Sequence, residues 1–175
     1  MAIALIALML IELLLLFAWA PLFFRTGIML FNQRIAAAPD DLKRLSLGGL
    51  EYDLPTERWA RLAFRALPDG SVAFRESFVP GFGGRYFPLL HGQIVVDTRR
   101  REVRVLGRCS WFATVLTVLL VPIVLLRPVA WPILAVPLLF YIGYRIQRRR
   151  YANVVEAVRA RVRNEFPWQF KDPPR

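Results

Sequence analysis

Residues 109–144 contain the segment CSWFATVLTVLLVPIVLLRPVAWPILAVPLLFYIGY, in which Arg127 is the only charged residue. As one straight helix the segment would be about 54 Å long at roughly 1.5 Å per residue, whereas the hydrocarbon core of a bilayer is about 30 Å thick. Two helices of about 27 Å each fit that thickness. A break at Arg127 is favoured because Pro128 disfavours helical conformation in the residue before it. The segment therefore predicts a hairpin of two membrane-spanning helices, at residues 109–126 and 128–144.

A third apolar segment begins the sequence. Residues 2–24 contain only one charged residue, Glu12, and the segment ends before Arg25. This length also predicts a membrane-spanning helix, at residues 1–24. A cleaved signal peptide is the alternative, since Ala18-Trp19-Ala20 has the small-x-small pattern of a cleavage site. A retained helix is favoured because no basic residue precedes the apolar stretch, Glu12 lies within it, and Pro21 would follow the cleavage point.

Residues 25–108 form a polar, basic block with strand-like patterns. Residues 59–65 and 71–79 flank Pro68-Asp69-Gly70-Ser71, a strong turn sequence, and predict a β-hairpin. Residues 86–96 and 102–106 predict a second hairpin with its turn near residues 97–100. A weaker fifth strand is predicted at residues 45–54. Residues 28–45 predict a short amphipathic helix, broken at Pro39, with Asp40 or Asp41 capping a second turn.

The block at residues 145–175 is predicted to be a basic amphipathic helix followed by a short Pro-rich tail. Its apolar residues recur at helical spacing and form one stripe: Tyr151, Val155, Val158 and Val162. The stripe has three interpretations: packing on the β-rich domain, contact with a lipid surface, or pairing with a partner helix.

The fold class predicted from these segments is an integral membrane α+β protein with three transmembrane helices. A small, mainly antiparallel β-domain at residues 25–108 is inserted between the first and second spans. Two arginine clusters flank the predicted hairpin, and the positive-inside rule places both in the cytoplasm, with the N terminus outside and the C terminus inside. The use of 24 Lys and Arg, nearly all of them Arg, suggests a bacterial inner-membrane protein.

The arginine clusters have two interpretations: they set the membrane topology, or they bind anionic lipid head groups. The residues concerned are Arg99, Arg100, Arg101, Arg104, Arg108, Arg145, Arg148, Arg149 and Arg150.

Glu12 is the candidate for an intramembrane polar contact, because a carboxyl group in apolar surroundings usually faces the protein interior. Counted from the ends of the predicted spans, Glu12 and Thr117 lie at similar depths in the bilayer, and Thr114 is one helical turn from Thr117. We predict that a protonated Glu12 donates a hydrogen bond towards one of these threonines and so fixes the helix pair. A contact with a partner subunit and a proton relay are the alternatives.

No residue pattern predicts a catalytic site, a metal site or a cofactor. Cys109 and His91 are the only cysteine and histidine, which excludes an intrachain zinc site built from several such ligands. The net charge of +11 comes without a nucleic-acid-binding motif, so no nucleic-acid partner is expected. The sequence instead predicts a non-catalytic accessory or scaffold subunit of an envelope complex, with membrane lipids and either a protein partner or a second copy as its partners. The alternative is a component of a membrane enzyme or transporter that acts on a lipid or small solute.

Overall fold

Five antiparallel strands form the centre of this computed structural model, which describes residues 2–54, 61–76, 90–126 and 135–163. The strand order is β1-β5-β4-β3-β2. The strands are β1 (Ile28–Ala36), β2 (Leu62–Ala66), β3 (Val72–Glu76), β4 (Leu90–Asp97) and β5 (Glu102–Cys109). The helices are α1 (Ala2–Phe17), α2 (Pro21–Arg25), α3 (Pro39–Arg44), α4 (Trp111–Leu126) and α5 (Ala135–Val162), and Leu50–Tyr52 forms one 3₁₀ turn.

Both predicted hairpins are confirmed, with β2 pairing with β3 and β4 pairing with β5. The first turn uses the chemistry that its sequence indicated. Gly70 adopts φ of +77°, and the carboxylate of Asp69 accepts hydrogen bonds from the backbone N–H (3.1 Å) and the hydroxyl (2.6 Å) of Ser71. These side-chain bonds, together with that from Arg25, lower the pKa of Asp69 to about 2.

Helix α5 covers one face of the sheet, where the main hydrophobic core lies. Two glycines on this face let aromatic rings approach the strands. A Cβ atom at Gly92 would lie 2.1 Å from Cζ of Phe74, and one at Gly107 would lie 2.9 Å from the ring of Tyr151. The Tyr151 ring therefore packs directly over β5, with ring-centroid distances of 5.9 Å to Phe31 and 4.8 Å to Phe74.

The end of α1 and helix α2 pack against the opposite face of the sheet. A second core cluster forms there, built from Leu16, Phe23, Phe24, Leu67 and Ala73. The guanidinium of Arg75 lies over the rings of Phe17 (5.4 Å) and Trp19 (4.7 Å), which adds two cation–π contacts between β3 and the end of α1.

The predictions for residues 28–54 are wrong in part. The amphipathic helix expected at residues 28–45 is the edge strand β1 followed by the short helix α3. Phe31 and Ile35 are both buried, and a spacing of four residues matches one face of a strand as well as one face of a helix. Asp40 and Asp41 lie in the first turn of α3, after Ala38 at its N-cap and Pro39 at its first position.

The fifth strand expected at residues 45–54 is absent from this part of the chain, and β1 supplies the fifth strand instead. The segment is held from outside by Arg161 on α5, whose Nη1 donates to the carbonyls of Ser46 (2.7 Å) and Gly48 (2.9 Å). These carbonyls bind a side chain where a strand would bind its neighbour. Gly49 with φ of +68° then begins the 3₁₀ turn.

The prediction of three membrane-spanning helices is wrong for the described residues. Among them, no helix combines the length with the apolar character needed to cross a bilayer. Helices α1 and α4 each have 16 residues, so each is about 24 Å long. Helix α5 has 28 residues, but six of them are arginines, the first at Arg145. The outside N terminus, the cytoplasmic C terminus and the multi-pass inner-membrane localisation were all inferred from these spans, and these predictions are wrong for the same reason.

The predicted break at Arg127-Pro128 and the predicted Pro-rich tail after residue 163 lie outside the described residues.

Candidate functional site

The stripe on α5 lies in the core that joins this helix to the sheet. Tyr151, Val155, Val158 and Val162 are all buried there. Three interpretations of the stripe were considered, and in the structure its side chains pack against the sheet. This contact makes α5 a part of the folded β-domain.

Polar side chains on the same face of α5 bind two strands of the sheet and the segment at residues 46–53. Gln147 accepts a hydrogen bond through Oε1 from the backbone N–H of Leu90 (2.9 Å) at the start of β4. Arg150 forms a buried ion pair with Glu76 at the end of β3. Arg161 forms an ion pair with Asp53, in addition to its bonds to the two carbonyls described above. Helix α5 is therefore attached at intervals along its length.

The arginines at residues 145–150 are divided between two environments. Arg150 was expected among the topology or lipid-binding arginines, and this is corrected because its side chain is buried against Glu76. One residue corresponds to about 100° around a helix. Arg145, Arg148 and Arg149, here named the α5 arginines, point away from the sheet and are exposed.

The arginines at residues 99–108 do not form one cluster either. Arg108 donates to the carbonyl of Phe24 (2.6 Å) and to Oε1 of Gln93 (3.0 Å), at the end of the sheet where α4 begins. Arg104 is paired with Glu102 and Asp97. The three arginines of the β4–β5 turn lie at the far end of β5, a strand of eight residues that spans roughly 25 Å at about 3.3 Å per residue.

Glu12 is positioned at the first turn of α4. Its Oε1 accepts hydrogen bonds from the backbone N–H groups of Trp111 (2.7 Å) and Phe112 (3.2 Å), which have no partner within their own helix. The hydroxyls of Thr114 and Thr117 instead donate to carbonyls of α4, those of Ser110 (3.0 Å) and Ala113 (2.8 Å). Glu12 thus joins α1 to α4 as an acceptor at a helix N terminus, not as a donor towards a threonine.

Burial raises the pKa of the Glu12 carboxyl group, although its bonds to Phe112, Trp111 and Ser110 favour the charged form. Beside it lies a cavity of about 20 Å³, lined by Met9, Glu12, Leu13, Leu16, Phe23, Ser110 and Phe112. That volume holds about one water molecule. The cavity is thus too small for an organic substrate.

His91 is buried between α2 and β4. Its Nε2 lies 3.0 Å from the carbonyl oxygen of Thr26, to which it donates as a neutral ring, and its ring centroid lies 4.2 Å from that of Phe23. Burial, together with the nearby charge of Arg108, lowers the pKa of His91 to about 4. The side chain is therefore neutral at physiological pH and attaches α2 to the sheet.

Apolar side chains are exposed along the three helices beyond the α4 end of the sheet. Leu14 on α1 is 68% exposed, Val118 on α4 is 64% exposed and Leu139 on α5 is 61% exposed. Among the residues whose exposure is described, the large apolar side chains exposed on these helices are Ile3, Ile6, Leu10, Ile11, Leu14 and Phe17 on α1, Trp111, Val118 and Leu126 on α4, and Leu138, Leu139, Tyr141, Ile142 and Ile146 on α5. A water-exposed monomer rarely presents so much apolar surface without a partner.

The sequence did not indicate several of the residues that hold these surfaces in place. Glu76, Asp53 and Gln147 belong to no recognisable motif. Each forms a contact between α5 and a part of the chain that is distant in sequence. The helical period did contain part of the signal, since Gln147, Arg150 and Arg161 fall on the same side of α5 as the apolar stripe. The described ranges contain no group of three His, Cys, Asp or Glu side chains that could hold a metal ion.

Comparison of the chain with protein-family models, with curated proteins and with solved structures finds no match.

Proposed function

We propose that this chain is a non-catalytic scaffold protein that docks its folded α+β part onto an anionic lipid surface. The observation that carries the proposal is the change in exposed side chains along α5. Leu138, Leu139 and Ile142 are exposed and apolar, and the α5 arginines follow within a few residues on the same helix. Apolar side chains followed by arginines suit the boundary between hydrocarbon and phosphate head groups.

Two further contacts support this proposal. Helix α1 is joined to α4 through Glu12 and exposes apolar side chains like those of α5. The attachment of α5 to the sheet through Gln147 and Arg150 means that a lipid contact at the apolar end of the helix positions the whole sheet.

A scaffold role is supported by the use of the buried polar groups in the described part of the chain. Glu76, Asp53 and Glu12 each bind a neighbouring element of the fold. Their bonds hold helices and loops in position. They are therefore assigned here to structure and not to chemistry on a substrate.

The test is flotation of the full chain, purified in a mild non-ionic detergent, with two kinds of vesicles. One kind contains phosphatidylcholine alone, and the other contains equal parts of phosphatidylcholine and phosphatidylglycerol. A basic side chain near an anionic surface contributes about 1 kcal/mol. A proximal triple variant, Arg145→Gln with Arg148→Gln and Arg149→Gln, should therefore bind the anionic vesicles about 100-fold more weakly.

The matched control is a distal triple variant with the same change in charge, Arg34→Gln with Arg99→Gln and Arg101→Gln. Its flotation should stay within about twofold of that of the unchanged chain, because these residues lie roughly 25 Å away along the sheet. Equal losses in the two variants would contradict the proposed site. Absence of flotation, with a protein partner covering the apolar helices in stoichiometric amounts, would overturn the proposal in favour of a protein complex.

A further inference from the structure

The end of the sheet opposite α4 has an exposed basic surface that the proposed lipid contact does not use. We name it the distal arginine surface and define it as Arg34, Arg99, Arg100 and Arg101. All four residues are exposed. Arg34 lies near the end of β1, and the other three lie in the turn between β4 and β5, whose Arg101 carbonyl accepts a hydrogen bond from the N–H of Ala37 (3.0 Å). This bond brings the end of β1 and the turn together.

The acidic groups of the β4–β5 turn leave most of this positive charge uncompensated. Glu102 pairs with Arg104, a half-buried neighbour. Asp97 accepts the backbone N–H of Arg100 (3.0 Å) and lies 3.9 Å from its guanidinium. The following helix α3 adds Asp40 and Asp41, of which Asp40 lies 3.9 Å from Lys43. Arg34, Arg99 and Arg101 have no ion pair among these groups.

The edge strand β1 adjoins this surface. In the described sheet, β1 is the terminal strand and pairs with β5 only. An extended peptide can add to such an edge through backbone hydrogen bonds, while its side chains contact groups on either side. Asn32, Gln33 and Arg34 are all exposed on β1. An added strand here would have side chains directly beside the distal arginines.

We propose that the distal arginine surface and the adjoining edge of β1 bind an extended, acidic segment of a partner protein. Opposite charge on the partner is the chemistry that four exposed arginines recognise. The same lipid surface cannot reach both ends of the molecule, because the strand between them spans roughly 25 Å. A nucleic acid is disfavoured because the turn at residues 97–102, DTRRRE, contains no aromatic residue on which bases could stack. This interaction goes beyond the lipid contact and does not depend on it.

The experiment measures binding of a ten-residue peptide of alternating Glu and Val, capped at both ends, to the full chain in non-ionic detergent. The control peptide replaces each Glu with Gln. The unchanged chain should bind the acidic peptide and not the control, and binding should weaken as salt rises. The distal triple variant defined above should bind at least tenfold more weakly, whereas the proximal triple variant should bind as the unchanged chain does.

Three results would overturn this proposal. They are no binding of the acidic peptide, equal losses in the two triple variants, or tighter binding of a ten-nucleotide single strand than of the peptide. Failure here can be distinguished from failure of the lipid contact, because flotation depends on the proximal variant and peptide binding on the distal one. A chain that floats with anionic vesicles but ignores the peptide retains its proposed lipid function and loses only this second site.

Discussion

Arg150 on α5 and Glu76 at the end of β3 form a buried ion pair, with Nη1 and Oε1 2.8 Å apart and side-chain exposures of 6% and 7%. Both charges are removed from water, and an opposite charge at this distance offsets part of the cost of burying each of them. The pair lies beside Tyr151 in the contact between α5 and the sheet. It therefore makes the placement of α5 depend on a specific charge as well as on apolar packing.

Removal of one partner of this pair should be strongly destabilising. We expect Glu76→Ala to lower the free energy of unfolding of the α+β part by about 3 kcal/mol, because it removes an opposite charge at hydrogen-bond distance from a buried guanidinium. The double variant Glu76→Leu with Arg150→Met should recover much of this loss. Chemical denaturation followed by tryptophan fluorescence measures both.

The matched control for the buried pair is Glu156→Gln, which removes the pair between Glu156 and Arg159 on the outer side of α5 (2.7 Å). That pair is partly exposed, so its loss should cost less than about 1 kcal/mol. Similar losses for Glu76→Ala and Glu156→Gln would contradict the importance assigned to burial.

His91 should make the stability of the fold sensitive to mild acid. Its pKa is lowered from 6.5 to about 4 in the folded protein, so the unfolded chain binds the proton more readily. The contribution is complete above about pH 6.5 and is lost as the pH falls towards 4, with a maximum of about 3 kcal/mol. Stability measured by denaturation from pH 7 to pH 4 should therefore decrease.

The variant His91→Phe isolates this contribution, because it keeps an aromatic ring beside Phe23 and has no proton to bind. The difference in stability between the two proteins should decrease from pH 7 to pH 4. Glu12 acts in the opposite direction, since a raised carboxyl pKa stabilises the fold as the pH falls. Both proteins contain Glu12, so its contribution cancels when their free energies of unfolding are subtracted. A difference in free energy that stays constant from pH 7 to pH 4 would exclude the role assigned to His91.

Glu12 is predicted to act mainly as an acceptor for the first N–H groups of α4. Glu12→Gln retains a carbonyl oxygen at this position and should cost less than about 1 kcal/mol of stability. Glu12→Ala leaves the N–H groups of Trp111 and Phe112 without their acceptor and should cost about 1–2 kcal/mol, as the loss of an N-cap does. Thermal unfolding of the two variants gives the comparison. A loss for Glu12→Gln as large as that for Glu12→Ala would indicate that the negative charge, and not the acceptor, is needed.

Local sequence patterns predicted the parts of this fold that depend on neighbouring residues. The turn at Pro68-Asp69-Gly70-Ser71 and the alternation at Glu102-Val103-Arg104-Val105 determine hairpins whose two strands are close in the chain. The position of β1 was not predictable in this way. It pairs with β5, far along the sequence, and Phe31 and Ile35 satisfy helical and strand spacing equally.

The prediction of the spans failed for a related reason. Apolar composition reports which residues avoid water, but it does not fix where a helix begins and ends. The described helix α1 stops at Phe17, and the chain then turns at Trp19, which has φ of +53°, before α2 begins at Pro21. The last apolar residues of this segment, Phe23 and Phe24, pack against the sheet and His91. Residues that the sequence assigned to a bilayer therefore form a core contact of the α+β fold.

The sequence identified the arginines of the candidate surfaces, but it did not show which of them lie together in the folded chain. Arg99 and Arg108 belong to one cluster in the sequence, yet β5 separates them along its whole length, and Arg108 is occupied by Phe24 and Gln93. Arg149 and Arg150 are adjacent in the chain and face opposite surroundings. The direction of each side chain decides whether it is exposed or buried, and the number of charges in a segment gives no information about that direction.

Helix α5 is continuous over 28 residues, which is about 42 Å at roughly 1.5 Å per residue. Because the helix is continuous, the directions of the side chains at the end bound to the sheet determine the directions of those at the apolar end. Insertion of a single residue near Tyr144 would rotate the two ends by about 100° relative to each other, so that no orientation of the helix could satisfy both sets of contacts. The number of residues between Leu139 and Arg150 therefore cannot change without turning one end of the helix away from its contacts.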